Sequence, residues 1–259
     1  MFKFFIFFNL INLYIFAGCC NKNNNKNNNK NNNIVNNENS DDKDKKDKKK
    51  VILLTTGALN PVHKGHINNL KLAQDYLESK GFVVEKIYLS PSSDIYLNSK
   101  KNNGKIDYFY NFDDRLKMCR LAVEDFRKEN NNEKYNIEVS DWEGKQPTFI
   151  DFPDVIKHFQ NDVNNKDKIV FYICGSDHYN NHVYLDNVIV IKRNNDIVKL
   201  KNNNNNFIVE DNDNSDFSST KAREIINKIK NNEDVENNKK SLEKYLYKSV
   251  IGFILNIKK

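Results

Sequence analysis

Six short apolar runs, separated by longer amphipathic segments, organise residues 51–257. The runs have the length and apolar content of buried strands, and they cover residues 51–54, 83–89, 135–139, 168–174, 187–191 and 207–209. Apolar residues at helical spacing follow most of these runs, within 66–80, 113–126, 148–159, 218–230 and 242–257. This alternation is typical of an α/β protein, in which helices cover both faces of a parallel sheet.

Particular residues mark the ends of the predicted elements. Gly81 can end the first helix because glycine readily adopts the left-handed cap conformation, and Asp113, Thr148 and Ser218 are candidate N-caps of later helices. We predict a long polar loop over residues 90–104. A Rossmann-like arrangement of this kind binds ligands at the carboxyl ends of its strands, where the chain connections reverse.

The first fifty residues differ in composition from the rest of the chain. Residues 21–50 consist of Asn and Lys with scattered acidic residues. Such a composition cannot bury enough apolar surface to offset the entropy of the chain. We therefore predict a disordered linker over 21–50 and one folded domain over 51–259.

Residues 1–20 look like a signal peptide, with one early lysine, an apolar stretch and small residues at the end. The apolar stretch is short for a membrane helix, and Asn9 and Asn12 interrupt it. Three interpretations stay open: a cleaved leader, an uncleaved anchor with acyl groups on Cys19 and Cys20, or a mistranslated upstream region.

The positive charge of the chain is concentrated in its first fifty residues. The formal net charge is +6. Residues 21–50 carry nine lysines against five acidic residues, and Lys3 adds one more positive charge, so the remaining chain is nearly neutral. Nucleic-acid binding calls for a structured basic face, and we therefore predict no binding to DNA or RNA.

The two cysteines of the folded domain belong to no spaced disulfide or zinc framework. Cys119 falls on an apolar helix face and Cys174 ends an apolar strand, so we predict ordinary core thiols. A domain without structural disulfides suits a reducing compartment. We expect a cytosolic location, or a membrane tether through the N-terminal segment that leaves the domain facing the cytosol.

Residues 51–66 combine a buried strand, a tight loop and a helix start, with His63 and His66 where the loop enters the helix. Gly57 and the Asn60-Pro61 pair turn the chain. Unpaired N–H groups and the positive end of the dipole at a helix N-terminus favour anions such as a triphosphate. We predict a phosphate site with imidazoles directed into it. The simpler alternative is that the histidines cap the helix or fill the core.

Several motifs follow one another in the order found in the nucleotidyltransferases with an HxGH signature. They are Gly57-Ala58-Leu59-Asn60-Pro61 leading to His66, Ser90-Pro91 with Asp94 and Tyr96, the segment 115–122, Trp142-Glu143, Cys174-Gly175-Ser176-Asp177 and Ser218-Ser219-Thr220-Lys221-Ala222-Arg223. Together they resemble the eukaryotic type of nicotinamide/nicotinate mononucleotide adenylyltransferase. The resemblance covers nearly all of 51–259 and implies a Rossmann-like nucleotidyltransferase fold for this catalytic domain.

The resemblance implies that a mononucleotide phosphate oxygen attacks the α-phosphorus of ATP and expels pyrophosphate, giving NAD or deamido-NAD without a covalent enzyme intermediate. His66 is the candidate contact to the α-phosphate, with His63 beside it. Arg223 is the candidate that grips the β- and γ-phosphates, and a surface salt bridge is its simpler alternative. Mg²⁺ is expected to be carried with ATP, and no metal ligands are predicted in the protein.

The resemblance also divides the candidate residues between the two substrates. Those for ATP are Gly57, Ala58, Leu59, His63, His66, Gly175, Asp177, Ser218, Ser219, Thr220 and Arg223. Those for the mononucleotide are Trp142, Glu143, Thr148, Lys100 and Lys101. Trp142 is expected to stack on the pyridine ring, and one of the two lysines to hold the phosphate. The simpler alternatives are a core tryptophan, solvated lysines and an aspartate that only caps a helix.

Two departures from the family pattern concern the acceptor substrate. The eukaryotic type usually has a second tryptophan after the Gly-x-Asp block, where this chain has Tyr179 and Tyr184. That type also tends to have threonine where this chain has His63. The motifs therefore indicate adenylyl transfer more firmly than they indicate the acceptor.

Two other classes of function stay open. Another HxGH nucleotidyltransferase would use phosphopantetheine as acceptor or CTP as donor, but cytidylyltransferases usually carry Arg-Thr-x-Gly-Ile-Ser-Thr near the end, and 216–220 lacks it. A tethered protein that binds nucleotides without turnover is the other class, and the intact His63, His66 and Arg223 argue against it. We expect ATP and a pyridine mononucleotide as partners, and we expect homo-oligomers.

Overall fold

The structure is a computed structural model that describes residues 48–130, 134–193, 195–201, 205–211 and 216–257. The predicted leader and most of the predicted linker lie outside these residues. Lys50, at the end of the predicted linker, already belongs to the first strand. In the part of the chain that is described, no helix is both long and apolar enough to cross a membrane.

One parallel sheet contains the six strands of the described residues. They are Lys50–Gly57 (β1), Val83–Pro91 (β2), Ile137–Val139 (β3), Ile169–Gly175 (β4), Val188–Arg193 (β5) and Phe207–Asp211 (β6). Their order across the sheet is β3-β2-β1-β4-β5-β6, and every pairing is parallel. Each apolar run in the sequence has become a strand, so the predicted Rossmann-like sheet is confirmed.

Helices pack on both faces of this sheet. The described residues form the α-helices Lys64–Ser79 (α1), Asp94–Asn102 (α2), Phe112–Asn130 (α3), Phe152–Asn161 (α4), Ser176–His182 (α5), Ser219–Lys230 (α6), Val235–Tyr245 (α7) and Lys248–Asn256 (α8). Side chains of β1 alternate between the faces: Val51 and Leu53 join a core with α1, α3 and α6 to α8, whereas Ile52 and Leu54 join a core with α4. Burial on both faces explains the continuous apolar runs of the central strands β1 and β4.

The predicted loop over residues 90–104 is wrong, because it contains α2. This helix buries only Leu97, so the sequence shows no apolar stripe that would have predicted it. A tertiary contact holds its first turn instead: the Asp94 carboxylate accepts hydrogen bonds from the Phe112 N–H and from the Arg115 guanidinium.

Two predicted N-caps are wrong and one is confirmed. Asn111 rather than Asp113 caps α3, because the Asn111 side-chain oxygen accepts from the N–H of Asp114 at 2.8 Å. Asp151 rather than Thr148 caps α4, where its carboxylate accepts from the next N–H. Ser218 caps α6 as predicted. The errors arise because several neighbouring residues can cap a helix, and only the backbone path selects one of them.

The predicted last helix over residues 242–257 is two helices. The chain is extended at Leu246, between α7 and α8, with φ −115° and ψ 155°. Leu246 and Tyr247 are both buried in the core at this break. The extended backbone at Leu246 therefore separates α7 from α8.

Arg115 connects three parts of the fold from a fully buried position. Its side chain is 0% exposed. It donates to the carbonyl oxygens of Tyr110 and Ala58, each at 2.9 Å, and to the Asp94 carboxylate at 2.8 Å. One guanidinium therefore locates α2, the start of α3 and the loop that follows β1.

We expect Arg115→Met to lower the free energy of unfolding by about 3 kcal/mol, because the substitution leaves the carbonyl oxygens of Tyr110 and Ala58 without this donor and removes one of the two donors to Asp94. Equilibrium unfolding in urea measures this change. Arg120→Met, at an exposed position of the same helix, is the matched control and should change the free energy by less than about 0.5 kcal/mol. Equal losses in the two variants would contradict the role of Arg115.

Candidate active site

A cavity of about 340 Å³ opens at the carboxyl ends of β1 and β4. The sheet order reverses between these two strands, since β2 and β3 extend the sheet on one side and β5 and β6 on the other. Open parallel sheets bind ligands at this position. Residues 55–58 of the first strand end and 172–175 of the fourth line the cavity.

The structure brings seven of the predicted site residues to this cavity and places nine outside its lining. Those that line it are Gly57, Ala58, His66, Lys100, Glu143, Gly175 and Asp177. Those outside the lining are Leu59, His63, Lys101, Trp142, Thr148, Ser218, Ser219, Thr220 and Arg223. The predicted residues at the ends of the strands therefore line one cavity, whereas the motif that contains Arg223 lies outside its lining.

The two histidines of the motif form a reciprocal cap at the start of α1. The N–H of His66 donates to Nδ1 of His63 at 3.3 Å, and the N–H of His63 donates to Nδ1 of His66 at 3.0 Å. Their rings stack with centroids 3.6 Å apart. The capping role, considered above as the simpler alternative, is therefore present. It is compatible with a chemical role because it uses only one nitrogen of each ring.

Capping determines which nitrogen carries the proton. A neutral ring whose Nδ1 accepts a hydrogen bond carries its proton on Nε2. Burial, followed by the charge of Arg193, lowers the pKa of His66 to about 3, and burial also lowers the pKa of His63 well below its ordinary value. His66 therefore offers the cavity a neutral Nε2–H donor rather than a positive charge.

Gly65 lets another part of the chain pack against the histidine motif. A Cβ atom at this position would lie 2.8 Å from Cβ of Phe217 and 3.1 Å from Nδ1 of His63. The first distance is shorter than real Cβ contacts, the second is tighter than most of them, and Phe217 precedes α6 in the sequence. The glycine of the motif is thus required for close packing between the start of α1 and the segment that leads into α6.

Arg223 holds the loop between β1 and α1. Its side chain donates to the carbonyl oxygen of Asn60 at 2.7 Å and to the hydroxyl of Thr220 at 3.1 Å. Ser219, from the same helix, donates to the carbonyl oxygen of Pro61 at 2.9 Å. In this structure the predicted phosphate motif therefore positions the loop, and its contact with the phosphates of ATP stays a prediction.

The side chain of Asn60, in the same loop, binds the segment that leads into α3: it donates to the carbonyl oxygen of Tyr108 and accepts from the N–H of Tyr110, both at 3.0 Å. The preceding residue, Leu59, has φ +45° and lies in the left-handed region. For a residue with a Cβ atom this conformation costs on the order of 1 kcal/mol. Burial of the Leu59 side chain in the core offsets that cost.

Glu143 is a buried carboxyl group that lines the cavity. It is 3% exposed. One of its oxygens accepts hydrogen bonds from the hydroxyl groups of Ser90, at 2.7 Å, and Thr56. Burial raises the pKa of Glu143, although the bonds from these hydroxyl groups oppose the rise. The residue connects the ends of β1 and β2 and fixes the orientation of Thr56 at the cavity surface.

Trp142 packs against α4 rather than lining the cavity. Its indole stacks on the imidazole of His158 with the ring centroids 3.6 Å apart and the planes 4° apart. One face of the indole is therefore covered by protein. The predicted stacking of Trp142 on a pyridine ring stays a prediction.

The two candidate lysines differ in position. Lys100 lines the cavity from the last turn of α2, and its ammonium group lies 4.6 Å from the ring centroid of Tyr96. Lys101 is exposed and lies outside the lining. Of the two, only Lys100 is placed to meet a ligand in this cavity.

Sequence analysis missed Arg193, which lines the cavity from the end of β5. The predicted strand ends at residue 191, two residues before this arginine, whereas β5 includes it. The available signal was a basic residue at the carboxyl end of a parallel strand near the point where the sheet order reverses. Together, Arg193 and Lys100 give the cavity two cationic side chains for anionic ligands.

The parallel sheet, the cavity at the reversal of strand order and the histidine-capped helix define a nucleotide-binding α/β domain. A family model described as cytidylyltransferase-like matches residues 54–225. The chain belongs to this family of nucleotidyltransferases.

Curated relatives carry the name that the motifs resemble. A nicotinamide/nicotinic acid mononucleotide adenylyltransferase 2 from Xenopus tropicalis is 36% identical over 108 residues, which are 41% of this chain and 30% of the relative. A nicotinamide/nicotinic acid mononucleotide adenylyltransferase from Oryza sativa is 29% identical over 133 residues, 49% of this chain and 47% of the relative. The chain thus spans less than half the length of these relatives.

A solved structure shares the fold. The nicotinic acid mononucleotide adenylyltransferase of Plasmodium falciparum, complexed with NaAD, aligns with a TM-score of 0.56 and 18% sequence identity. The alignment covers 80% of this chain and 95% of that one. At this level of identity the likeness supports the fold, and it agrees with the predicted Rossmann-like nucleotidyltransferase architecture.

Proposed function

We propose that the protein transfers the adenylyl group of ATP to nicotinamide mononucleotide or nicotinate mononucleotide, forming NAD or deamido-NAD and pyrophosphate. The observation that carries this proposal is the position of His66, which lines a cavity at the reversal of strand order while its Nδ1 is held in the helix cap. Membership of the nucleotidyltransferase family and the names of the curated relatives support the choice of substrates.

The proposed reaction is one displacement at phosphorus. A phosphate oxygen of the mononucleotide forms a bond to the α-phosphorus of ATP, while the bond from that phosphorus to the bridging oxygen breaks and pyrophosphate leaves. His66 donates from Nε2 to an oxygen of the α-phosphate, where negative charge increases in the transition state. A fixed donor of this kind stabilises the transition state more than the ground state.

The loop contributes by its rigidity. Gly57 and Ala58 line the cavity, and side chains from α3 and α6 hold the carbonyl oxygens of Ala58 and Asn60. A loop held in this way does not have to be ordered when the triphosphate binds, so less free energy is lost on binding.

We propose that Mg²⁺ enters the site bound to the triphosphate. The two cationic side chains of the lining carry less charge than a triphosphate and a monophosphate together. Among the described residues no group of three or more histidine, cysteine or acidic side chains is arranged to hold a metal ion. The Asp177 carboxylate in the lining suits a contact to the hydrated ion, which neutralises phosphate charge when bound.

A substrate panel tests this function. The purified full chain is incubated with Mg²⁺, with ATP or CTP as donor, and with nicotinamide mononucleotide, nicotinate mononucleotide or phosphopantetheine as acceptor. We expect NAD or deamido-NAD, identified by product mass, only when ATP and a pyridine mononucleotide are present. Product from CTP or phosphopantetheine alone would instead identify another nucleotidyltransferase. Binding without product from any pair would identify a nucleotide-binding protein without turnover.

We expect His66→Ala to lower kcat about 100- to 1000-fold with a small change in KM, because the lost hydrogen bond is strongest in the transition state. Steady-state rates with ATP and the preferred mononucleotide measure this. Asn68→Ala, two residues further along α1 and outside the cavity lining, is the control and should retain activity. An unchanged kcat in His66→Ala would place catalysis elsewhere.

We expect Lys100→Ala to raise KM for the mononucleotide about 10-fold or more, because a charged hydrogen bond to its phosphate is worth about 1.5–3 kcal/mol. Lys101→Ala is the matched control: it removes the same charge from the next residue, which is exposed and lies outside the lining. Its KM should stay within about twofold of the unsubstituted protein. Equal KM values for the two variants would contradict the assignment of Lys100.

A further inference from the structure

The cavity has an aromatic part that the sequence motifs did not predict. Tyr96 and Phe149 stack with their ring centroids 5.5 Å apart and their planes 20° apart. Phe152 and Tyr172 form a second pair, with centroids 5.3 Å apart and planes 19° apart. All four residues line the cavity. Their rings suit a flat aromatic ligand better than a sugar or a phosphate group.

Tyr172 lies in the middle of the sheet, away from the loop that is proposed to hold the phosphates. It is in register with Leu54 of β1 and with Val188 of β5. Gly175, at the end of β4, is three positions further along the strand, which corresponds to about 10 Å. A ligand whose phosphate lies at the strand ends therefore reaches Tyr172 with its opposite end.

The hydroxyl group of Tyr172 makes no hydrogen bond to the described residues, although the side chain is only 3% exposed. Buried tyrosines normally pair their hydroxyl groups, as Tyr179 does by accepting from the N–H of Lys201. Tyr108 and Tyr110 also lack partners, but their hydroxyl groups are fully enclosed, whereas that of Tyr172 is not. Because Tyr172 lines the cavity, its hydroxyl group is available to a ligand there.

The phenol of Tyr172 can donate a hydrogen bond at neutral pH. Burial raises the pKa of Tyr172 well above its usual range, and the neighbouring carboxyl groups raise it further. The group consequently keeps its proton at neutral pH. Nicotinamide and nicotinate both carry a carbonyl oxygen on the pyridine ring, and an O–H donor matches that oxygen in either compound.

We propose that Tyr172 is a specificity-determining residue of the acceptor site, whose O–H donates a hydrogen bond to the carbonyl oxygen on the pyridine ring while Tyr96 and Phe149 pack against the ring. This assignment rests on the proposed function. It gives ring recognition to residues that line the cavity, whereas Trp142 lies outside the lining. Here, Tyr172 selects for a ring substituent and takes no part in the displacement.

Tyr172→Phe in the full chain tests the assignment, because it removes the hydroxyl group and keeps the ring. We expect KM for the preferred mononucleotide to rise about 10-fold, equivalent to about 1.4 kcal/mol, with kcat and KM for ATP within about twofold of the unsubstituted protein. Tyr179→Phe is the matched control: it is an equally buried tyrosine outside the lining, and its KM for the mononucleotide should not change.

A second acceptor shows whether the bond goes to the ring substituent. With pyridine mononucleotide, which lacks the carbonyl group, Tyr172→Phe and the unsubstituted protein should have the same KM. If Tyr172→Phe does not fold, Phe149→Leu serves instead, since Phe149 is 47% exposed and its loss should raise KM for every pyridine mononucleotide.

The possible outcomes separate the two proposals. An active protein in which neither substitution changes KM for the mononucleotide overturns the assignment of the ring site and leaves the proposed function intact. A protein that makes no dinucleotide from any pyridine mononucleotide overturns the proposed function, and the assignment of Tyr172 falls with it.

Discussion

The loop between β1 and α1 depends on hydrogen bonds that other parts of the fold supply. Arg115 binds the carbonyl oxygen of Ala58, and Arg223 binds that of Asn60. The Asn60 side chain in turn pairs with the backbone that leads into α3. A loop that contains a left-handed Leu59 is not stable by itself. Two buried guanidinium groups therefore determine the shape of the loop that lines the cavity.

The chemistry proposed for this site relies on position more than on charge. At the start of α1, the Nδ1 atoms of His63 and His66 each accept a hydrogen bond from the other residue's backbone N–H. This leaves the Nε2–H of His66 as a neutral donor at the cavity. A neutral donor costs less to bury than a cation, and it is already oriented when the substrate binds. The positive charge of the cavity is carried by two other lining residues, Lys100 and Arg193.

The part of the cavity that is proposed to bind the mononucleotide ring departs most from the family pattern. The tryptophan assigned to ring stacking is covered on one face by His158, and the second tryptophan of the family is replaced. Aromatic rings from three different segments line the cavity instead, among them Tyr96, Phe149 and Tyr172. The sequence contains all of these rings. Their convergence depends on how α2 and the loop before α4 lie over the sheet, which no local motif encodes.

Local pattern determined the sheet, the two histidines at the start of α1 and the serine cap of α6, because strand burial and helix capping depend on residues that are close together in sequence. It did not determine α2, whose first turn is held by Arg115 from another helix. It did not show that Arg223 turns toward the loop or that Arg193 reaches the cavity. These outcomes depend on which side chains lie opposite one another after folding, because buried donors take the nearest unpaired acceptor in space.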